Sequence, residues 1–466
     1  MREEVGLLVL GGTILDPRLG VIMDGCVAVR GGRIVWVGGR DEAERRFEAG
    51  KIIDAGGGLI LPGLIDLHTH NAQYFLRNWM DDKLLALPPI WLTMLIPFEA
   101  GLEYRHVKAS ALLTMLGMLR SGTTCFVEAG GPHPEAIAEA AAESGIRGIV
   151  TRSNIDLEPS LPMYLETGEV VEANRRLFEE WDGRGGGRIR VWFSVREIML
   201  DTLRLIEELR MLAEEKDTYL TMHLAEDTVE VNWCLERYGA RPVELLAEKG
   251  LLDNRVLASH MIYLSPREVE IAARSGVSVA WCPMVDARLM SMPRIDLMDA
   301  WGVNVGFGSD GGIWCNLDLL EQARVGRAVV KAASNSLYHD KTPLDSWTCL
   351  RMLTENAGRA VHMRVGRLSP GYLADIITLR WDPACPRLPG DVAESLINHM
   401  RGIQVKDVVV DGEVVMENGV VKTLDEERVM EDAVEAAEEL SEMVGELRSR
   451  VRSAGRQPTS SSSQSF

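Results

Sequence analysis

Hydrophobic and polar positions change their period several times along this chain. In residues 1–58 short apolar stretches at Leu7 to Leu10, Val27 to Val29 and Ile34 to Val37 are set between Gly11-Gly12, Gly31-Gly32 and Gly38-Gly39. Short runs between glycine-marked turns predict strands and a small β unit. From 59 to 366 apolar runs alternate with stretches of helical period, the pattern of repeated βα units around a parallel sheet. Eight runs read as strands: Leu59 to His70, Thr123 to Glu128, Gly148 to Arg152, Arg190 to Arg196, Tyr219 to His223, Val256 to His260, Val277 to Cys282 and Val303 to Ser309. Glu135 to Ser144, Asp201 to Glu215, Arg241 to Lys249 and Pro266 to Ser275 read as helices between them. In 367–424 the β pattern returns, at Ala374 to Leu379 and Val405 to Val421, with the hairpin dipeptide Asp411-Gly412. Over 425–453 apolar residues at Val429, Ala433, Ala437, Leu440, Val444, Leu447 and Val451 predict one helix lying on the body of the protein. Its acidic residues come first and Arg448, Arg450 and Arg452 last, as the helix dipole favours. The serine-rich stretch 454–466 is expected to be disordered.

These elements predict an α/β fold: a (β/α)8 barrel of the TIM type over 59–366, a small β-sandwich built from 1–58 and 367–424, and a C-terminal helix. Strand carboxyl ends converge on one face of such a barrel and carry its chemistry. A chain of 466 residues accommodates this arrangement. Its formal charge of −19 opposes nonspecific nucleic-acid binding, because phosphate contacts need clustered Lys and Arg. No apolar run reaches the roughly 18 residues of a membrane span. The acidic start, Met-Arg-Glu-Glu, lacks the basic region of a signal peptide, so the expected location is the cytoplasm. Seven scattered cysteines without a Cys-X-X-Cys spacing predict reduced thiols and no cysteine zinc site.

The chemistry centres on Leu61-Pro-Gly-Leu-Ile-Asp-Leu-His-Thr-His70, where a buried strand ends in two histidines. Alternation along the strand places His68 and His70 on one side. Alone, such a pair is more often a polar strand end than half of a metal site. His223, His260 and Asp310 also stand at ends of predicted strands, and a barrel would gather all five. His68, His70, His223 and Asp310 then offer three imidazoles and a carboxylate to one divalent ion with a position left for water. Such an ion lowers the pKa of water from 15.7 towards about 7. Glu226 lies three residues past His223, close enough to move protons for a hydrolysis.

Several further motifs stand beside these: Leu119-Arg-Ser-Gly-Thr-Thr124, His223-Leu-Ala-Glu226, Trp281-Cys-Pro283, Gly308-Ser-Asp-Gly311, Asn316-Leu-Asp-Leu319, Gly366-Arg-Leu-Ser-Pro-Gly371 and Ala374-Asp375. With the histidine motif they resemble the amidohydrolase superfamily, and within it the mononuclear aminohydrolases: methylthioadenosine/S-adenosylhomocysteine deaminases, guanine deaminases and triazine hydrolases. The resemblance runs to about residue 421. It implies His68, His70, His223 and Asp310 as ligands of one divalent ion, zinc in the first place and iron or manganese in the second. It implies Glu226 as proton shuttle, His260 as the residue orienting the attacking water, and Asp310 assisting as base.

The substrate implied is a small amino-substituted nitrogen heterocycle, a purine or its nucleoside or a pterin-like ring, deaminated with release of ammonia. Self-association is left open. Expulsion of chloride or an alkylamine from a triazine is the alternative within enzymes, and an inactive binding homologue the alternative outside them. Glu226 favours deamination, and the complete ligand set disfavours the inactive reading. Binuclear relatives carry a lysine at the fourth strand, where this chain has Ser194-Val-Arg-Glu197, which points to one metal, although Glu197 is a further candidate ligand. Trp91-Leu92 with Pro97-Phe-Glu99 resembles the segment whose glutamate contacts ribose hydroxyls, which makes Glu99 a substrate-binding candidate. The guanidinium of Arg196 can recognise a ring oxygen or carboxylate with paired donors, or form a salt bridge with a neighbouring acid.

Overall fold

The computed structural model describes residues 2–81, 84, 89–289 and 291–454. The expected disordered tail therefore lies outside the described residues, apart from the Ala454 that ends a helix. Two kinds of sheet make up the molecule. A nine-stranded mixed sheet runs in the order Val420–Val421, Glu413–Glu417, Val405–Val410, Ile376–Leu379, Leu59–Pro62, Glu3–Asp16, Gly20–Arg30 and Arg33–Gly39, with Phe47–Asp54 paired to Glu3–Asp16. Both ends of the chain thus share one sheet, because Ile376–Leu379 and Glu3–Asp16 both pair with Leu59–Pro62.

The intervening chain forms parallel sheets with helices between the strands. One holds Leu64–Thr69, Thr123–Glu128, Arg147–Val150 and Ile189–Val191, and the other Phe193–Val195, Leu220–Leu224, Val256–His260, Ser278–Trp281 and Asn304–Phe307. Every pairing in them is parallel. At one seam the chain itself passes from Val191 to Phe193 through Trp192. The Trp192 amide donates to Val150 and the Phe193 amide to Tyr219, so the strand changes partner at that residue. At the opposite seam Thr69 and Asp310 form a parallel bridge.

Two predicted strands are therefore each broken in two. The run expected from Leu59 to His70 divides at Gly63, whose amide bonds the Asp375 carbonyl at 2.9 Å. A Cβ on Gly63 would meet Thr124 Oγ1 at 2.1 Å, so only glycine lets the chain leave one sheet and enter the other there. The run expected from Arg190 to Arg196 divides at Trp192 for the pairing reason just given.

The C-terminal helix is also two helices, Glu426–Glu439 and Ser441–Ala454. The first packs on Tyr104–Arg120 and the second on the turn Trp91–Leu95 with Ile96–Ala100. Arg105 and His106 draw the Glu439 carboxylate to the first helix's support, and Ser441 Oγ donates to the Glu438 carbonyl. Such back-bonding by serine bends helices. All seven cysteines are buried and unpaired. Among the described residues no helix is long and apolar enough to cross a membrane.

Candidate active site

The strand Leu64–Thr69 is buried along its whole length, because its apolar residues face packed elements on both sides. Its two histidines, with His223 and Asp310, come from strand ends that the parallel sheets place side by side. His68 Nδ1 hydrogen-bonds Ser259 Oγ at 2.6 Å, while His70 Nδ1 and His223 Nδ1 donate to the carbonyls of Gly130 at 3.2 Å and Arg196 at 2.8 Å. A carbonyl can only accept, so it holds the proton on Nδ1 and leaves the Nε2 lone pairs of His70 and His223 facing inward. Those two Nε2 atoms are 3.2 Å apart, and the buried His68 Nε2 has no hydrogen-bond partner. Asp310 Oδ1 lies 3.9 Å from His68 Nε2 and 3.8 Å from His70 Nε2.

Converging lone pairs, an orphaned buried nitrogen and a carboxylate repel or stay unsatisfied unless a cation joins them, so this donor set fits a divalent metal ion. His68, His70 and His223 place one ligand atom each within 4.8 Å of one another, and so do His68, His260 and Asp310. Burial drives the pKa of all three imidazoles well below the usual histidine value, with neighbouring positive groups lowering it further. They are thus neutral, as ligands must be. Glu197 joins no such group among the described residues.

Glu226 and His260 stand beside this cluster. His260 Nε2 is 3.9 Å from Glu226 Oε1, and its Nδ1 donates to Asp286 Oδ1 at 2.8 Å. Burial disfavours a charge on His260, but Glu226 and Asp286 outweigh it and raise its pKa to about 10. Burial pushes the Glu226 carboxyl up to about 7, with His260 opposing. The backbone carries strain here: Ala225, His260, Met261 and Asp310 all have positive φ, at 52°, 69°, 47° and 60°. Such angles cost non-glycine residues energy and cluster at functional sites.

Glu99 and Arg196, each read from sequence as a substrate contact, are found bonded to one another. Arg196 Nη1 reaches Glu99 Oε2 at 2.9 Å and Nη2 reaches Oε1 at 3.2 Å, with both side chains nearly inaccessible. Gln73 Nε2 adds a 2.6 Å bond to Glu99, and Ser153 Oγ takes a further donor from Arg196. The salt bridge that stood as the alternative for Arg196 is therefore present, and its acid is Glu99.

Residues that sequence reading passed over hold the rest in place. Asp66 accepts from the amides of His68 and Ser309 and from Ser309 Oγ, tying the first histidine strand to the Asp310 loop. Glu230 accepts from the amides of Ala225 and Glu226, fixing the backbone that carries the Glu226 side chain. Ser259 and Asp286 orient two imidazoles in the way outer partners orient ligands. Their signals were thin: Asp66 stands two residues before His68, Ser259 adjoins His260, and Glu230 lies one helical turn past Glu226.

The amidohydrolase family model matches residues 59–415. The chain belongs to the amidohydrolase family. A 5-methylthioadenosine/S-adenosylhomocysteine deaminase of Thermococcus kodakarensis is 35% identical over 394 residues, 84% of this chain and 89% of the relative. A 5'-deoxyadenosine deaminase of Methanosarcina acetivorans is 32% identical over 436 residues, 91% and 96% of the two chains. Among solved structures, an adenosine deaminase from Xanthomonas campestris with bound zinc superposes with a TM-score of 0.86 at 27% identity, covering 97% of this chain and 100% of that one. Atrazine chlorohydrolase of Arthrobacter aurescens, complexed with zinc, shares the fold at 24% identity and a TM-score of 0.80, over 92% and 100% of the chains.

Proposed function

We propose that this amidohydrolase is a hydrolytic deaminase of an amino-substituted nitrogen heterocycle, with an aminopurine ring, free or in a nucleoside, as the leading substrate class. The observation that carries the reading is the placement of Glu226 and His260 against the cluster of His68, His70, His223 and Asp310. Relatives named for adenosine derivatives support the purine ring. We read the cluster as the site of one divalent ion held by His68, His70, His223 and Asp310, with zinc favoured by the zinc-bound neighbour. When bound, that ion supplies the Lewis acidity that makes water a nucleophile at neutral pH.

The chain's own residues do the rest. A Glu226 carboxyl with a pKa of about 7 can both hold and release a proton near neutrality, which general acid-base work requires. It takes a proton from the attacking water and delivers it to the ring nitrogen beside the carbon under attack. The departing ammonia receives the second. His260 Nε2, with Asp286 behind its Nδ1, stabilises negative charge on the attacking oxygen. The neutralised Glu99–Arg196 pair forms part of the substrate wall with Gln73 and Ser153. We also read the two parallel sheets as one closed eight-stranded barrel beside a β-sandwich, supported by the continuity at Trp192 and the Thr69–Asp310 bridge. A cytoplasmic location accords with seven unpaired cysteines.

The test is an ammonia-release screen over aminopurines, their nucleosides and pterins, run beside chloride release from a chlorotriazine. Chelation should abolish ammonia release and zinc should restore it, with close to one ion per chain by metal analysis. Chloride release without ammonia from any ring would overturn the deaminase reading, and two tightly held ions per active chain would overturn the single-ion site.

A further inference from the structure

Away from the histidine cluster, where the parallel sheets meet the mixed sheet, lies a cleft of about 910 Å³ lined by five arginines: Arg77, Arg120, Arg324, Arg380 and Arg401. That volume falls within the range of small-ligand pockets. In a chain whose formal charge is −19 an arginine has acids in plenty to pair with, and among the described residues most of these five pair with none. Among the described residues only Arg120 meets a carboxylate, that of Glu426. Arg77 donates to the Cys315 carbonyl and the Tyr74 hydroxyl, and Arg324 to the carbonyls of Ile397 and Met400. These neutral acceptors orient the guanidinium groups and leave their charge uncompensated. Arg380 and Arg401 are exposed, and no ion pair to either is found among the described residues.

The acids of the cleft do not cancel this charge. Asp318 accepts from the amides of Leu320 and Gly402, and Glu321 holds the Asn316 side chain, so both are engaged in shaping the walls. Even with Asp318, Glu321 and Glu426 all counted against the arginines, an excess of positive charge remains. The cleft also carries one exposed aliphatic side chain, Ile403, 78% exposed, beside the buried Val405 and Met416. Large aliphatic surface is ordinarily removed from water, and here it borders planar, forked donors whose geometry matches phosphate oxygens.

We infer that this cleft is a binding site for a phosphorylated small molecule, the phosphate held by Arg380 and Arg401 with Arg77 and Arg324 behind them. It is separate from the deamination site and does not depend on that reading. The experiment is titration calorimetry of the full-length, metal-loaded protein with inorganic phosphate, pyrophosphate and adenosine diphosphate, on wild type and on Arg380→Ala/Arg401→Ala. The two exposed positions make the double variant a conservative test of folding, which circular dichroism checks. Saturable binding of at least one probe, near one per chain, weakened at least tenfold in the double variant, is the expected result. Diphosphate binding tenfold tighter than pyrophosphate would identify an organic phosphate as the ligand, and equal binding would identify the phosphate groups alone. Both outcomes uphold the site. Absence of binding by all three probes at millimolar concentration, or binding that survives the double substitution unchanged, would overturn it. So would a fall in oligomer mass in the double variant without any probe binding to wild type, which would make the cleft a contact between copies of this chain.

Discussion

In the proposed mechanism Glu226 moves protons while three imidazoles and Asp310 hold the ion, and its variant tests that division, because its carboxyl, 3.9 Å from His260, also forms with His223 and His260 a group whose ligand atoms lie within 4.8 Å of one another. Glu226→Gln keeps the size and much of the hydrogen bonding and removes the ability to shuttle. General acid-base catalysis is typically worth 10²–10⁴-fold, so kcat should fall by at least about a hundredfold with metal content unchanged. Ammonia release surviving within a fewfold would transfer the role to another residue, His260 first. At this scale sequence legibility followed chemistry. Histidines at strand ends are rare enough to stand out, whereas Asp66, Glu230 and Asp286 look like any acid until their buried hydrogen bonds are seen. Glu99 and Arg196 show the opposite limit. Each was readable as a functional group, but nothing in the spacing of 97 residues between them told that they bond to one another.

Elements were legible by type and misjudged in continuity. Apolar runs give the presence of a strand, but which partner it pairs with is decided by contacts distant in sequence, so the break at Trp192 had no local signature, and Pro62-Gly63 marked a break without showing that the chain changes sheets there. The joint between the mixed sheet and the helix Glu355–Ala360 is likewise non-local. Glu355, on that helix, takes Arg18 from the turn after Glu3–Asp16 and Arg367 from the Gly366–Gly371 motif. Burial pushes the Glu355 carboxyl up, but the bonds to Arg18 and Arg367 outweigh it and hold its pKa below the ordinary glutamate value. A depressed carboxyl stabilises the folded state fully above its unfolded pKa, and the contribution disappears as pH falls through the folded pKa. Stability of the wild type should therefore decline as the pH drops below the ordinary glutamate range of about 4.3. Glu355→Gln should lower stability at neutral pH and flatten that decline. Denaturant titrations at several acidic pH values measure both, and a wild-type slope identical to the variant's would dismiss the joint as a pH-sensitive contact.

Across the whole molecule the two kinds of sheet are fastened by one ion pair that burial makes consequential. Arg147 opens the strand Arg147–Val150 of the parallel core, and Asp375 immediately precedes Ile376–Leu379 of the mixed sheet. Their bond is bidentate, with Nε to Oδ2 and Nη2 to Oδ1 both at 3.0 Å, and the side chains are only 2% and 1% exposed. Asp375 Oδ1 also accepts the Asp411 amide at 2.7 Å, which places the hairpin dipeptide, and its own carbonyl receives Gly63 at the crossing between sheets. The Ala374-Asp375 motif thus has a physical task away from the histidine cluster: it orders the backbone on which the two sheets meet. Surface pairs are commonly worth under about 1 kcal/mol, but removing one partner of a buried pair strands the other's charge and costs about 3–5 kcal/mol. Arg147→Met, close in length and without charge, should lose that amount in equilibrium unfolding. Because the pair lies away from Glu226 and the histidines, kcat of the fraction still folded at low temperature should match wild type. The companion variant Asp375→Asn keeps acceptor capacity for the Asp411 amide and removes the charge, so Arg147→Met/Asp375→Asn should recover part of the loss. A single Arg147→Met variant destabilised by less than about 1 kcal/mol would show that the sheets are held by apolar packing alone and that the pair merely fills the space between them.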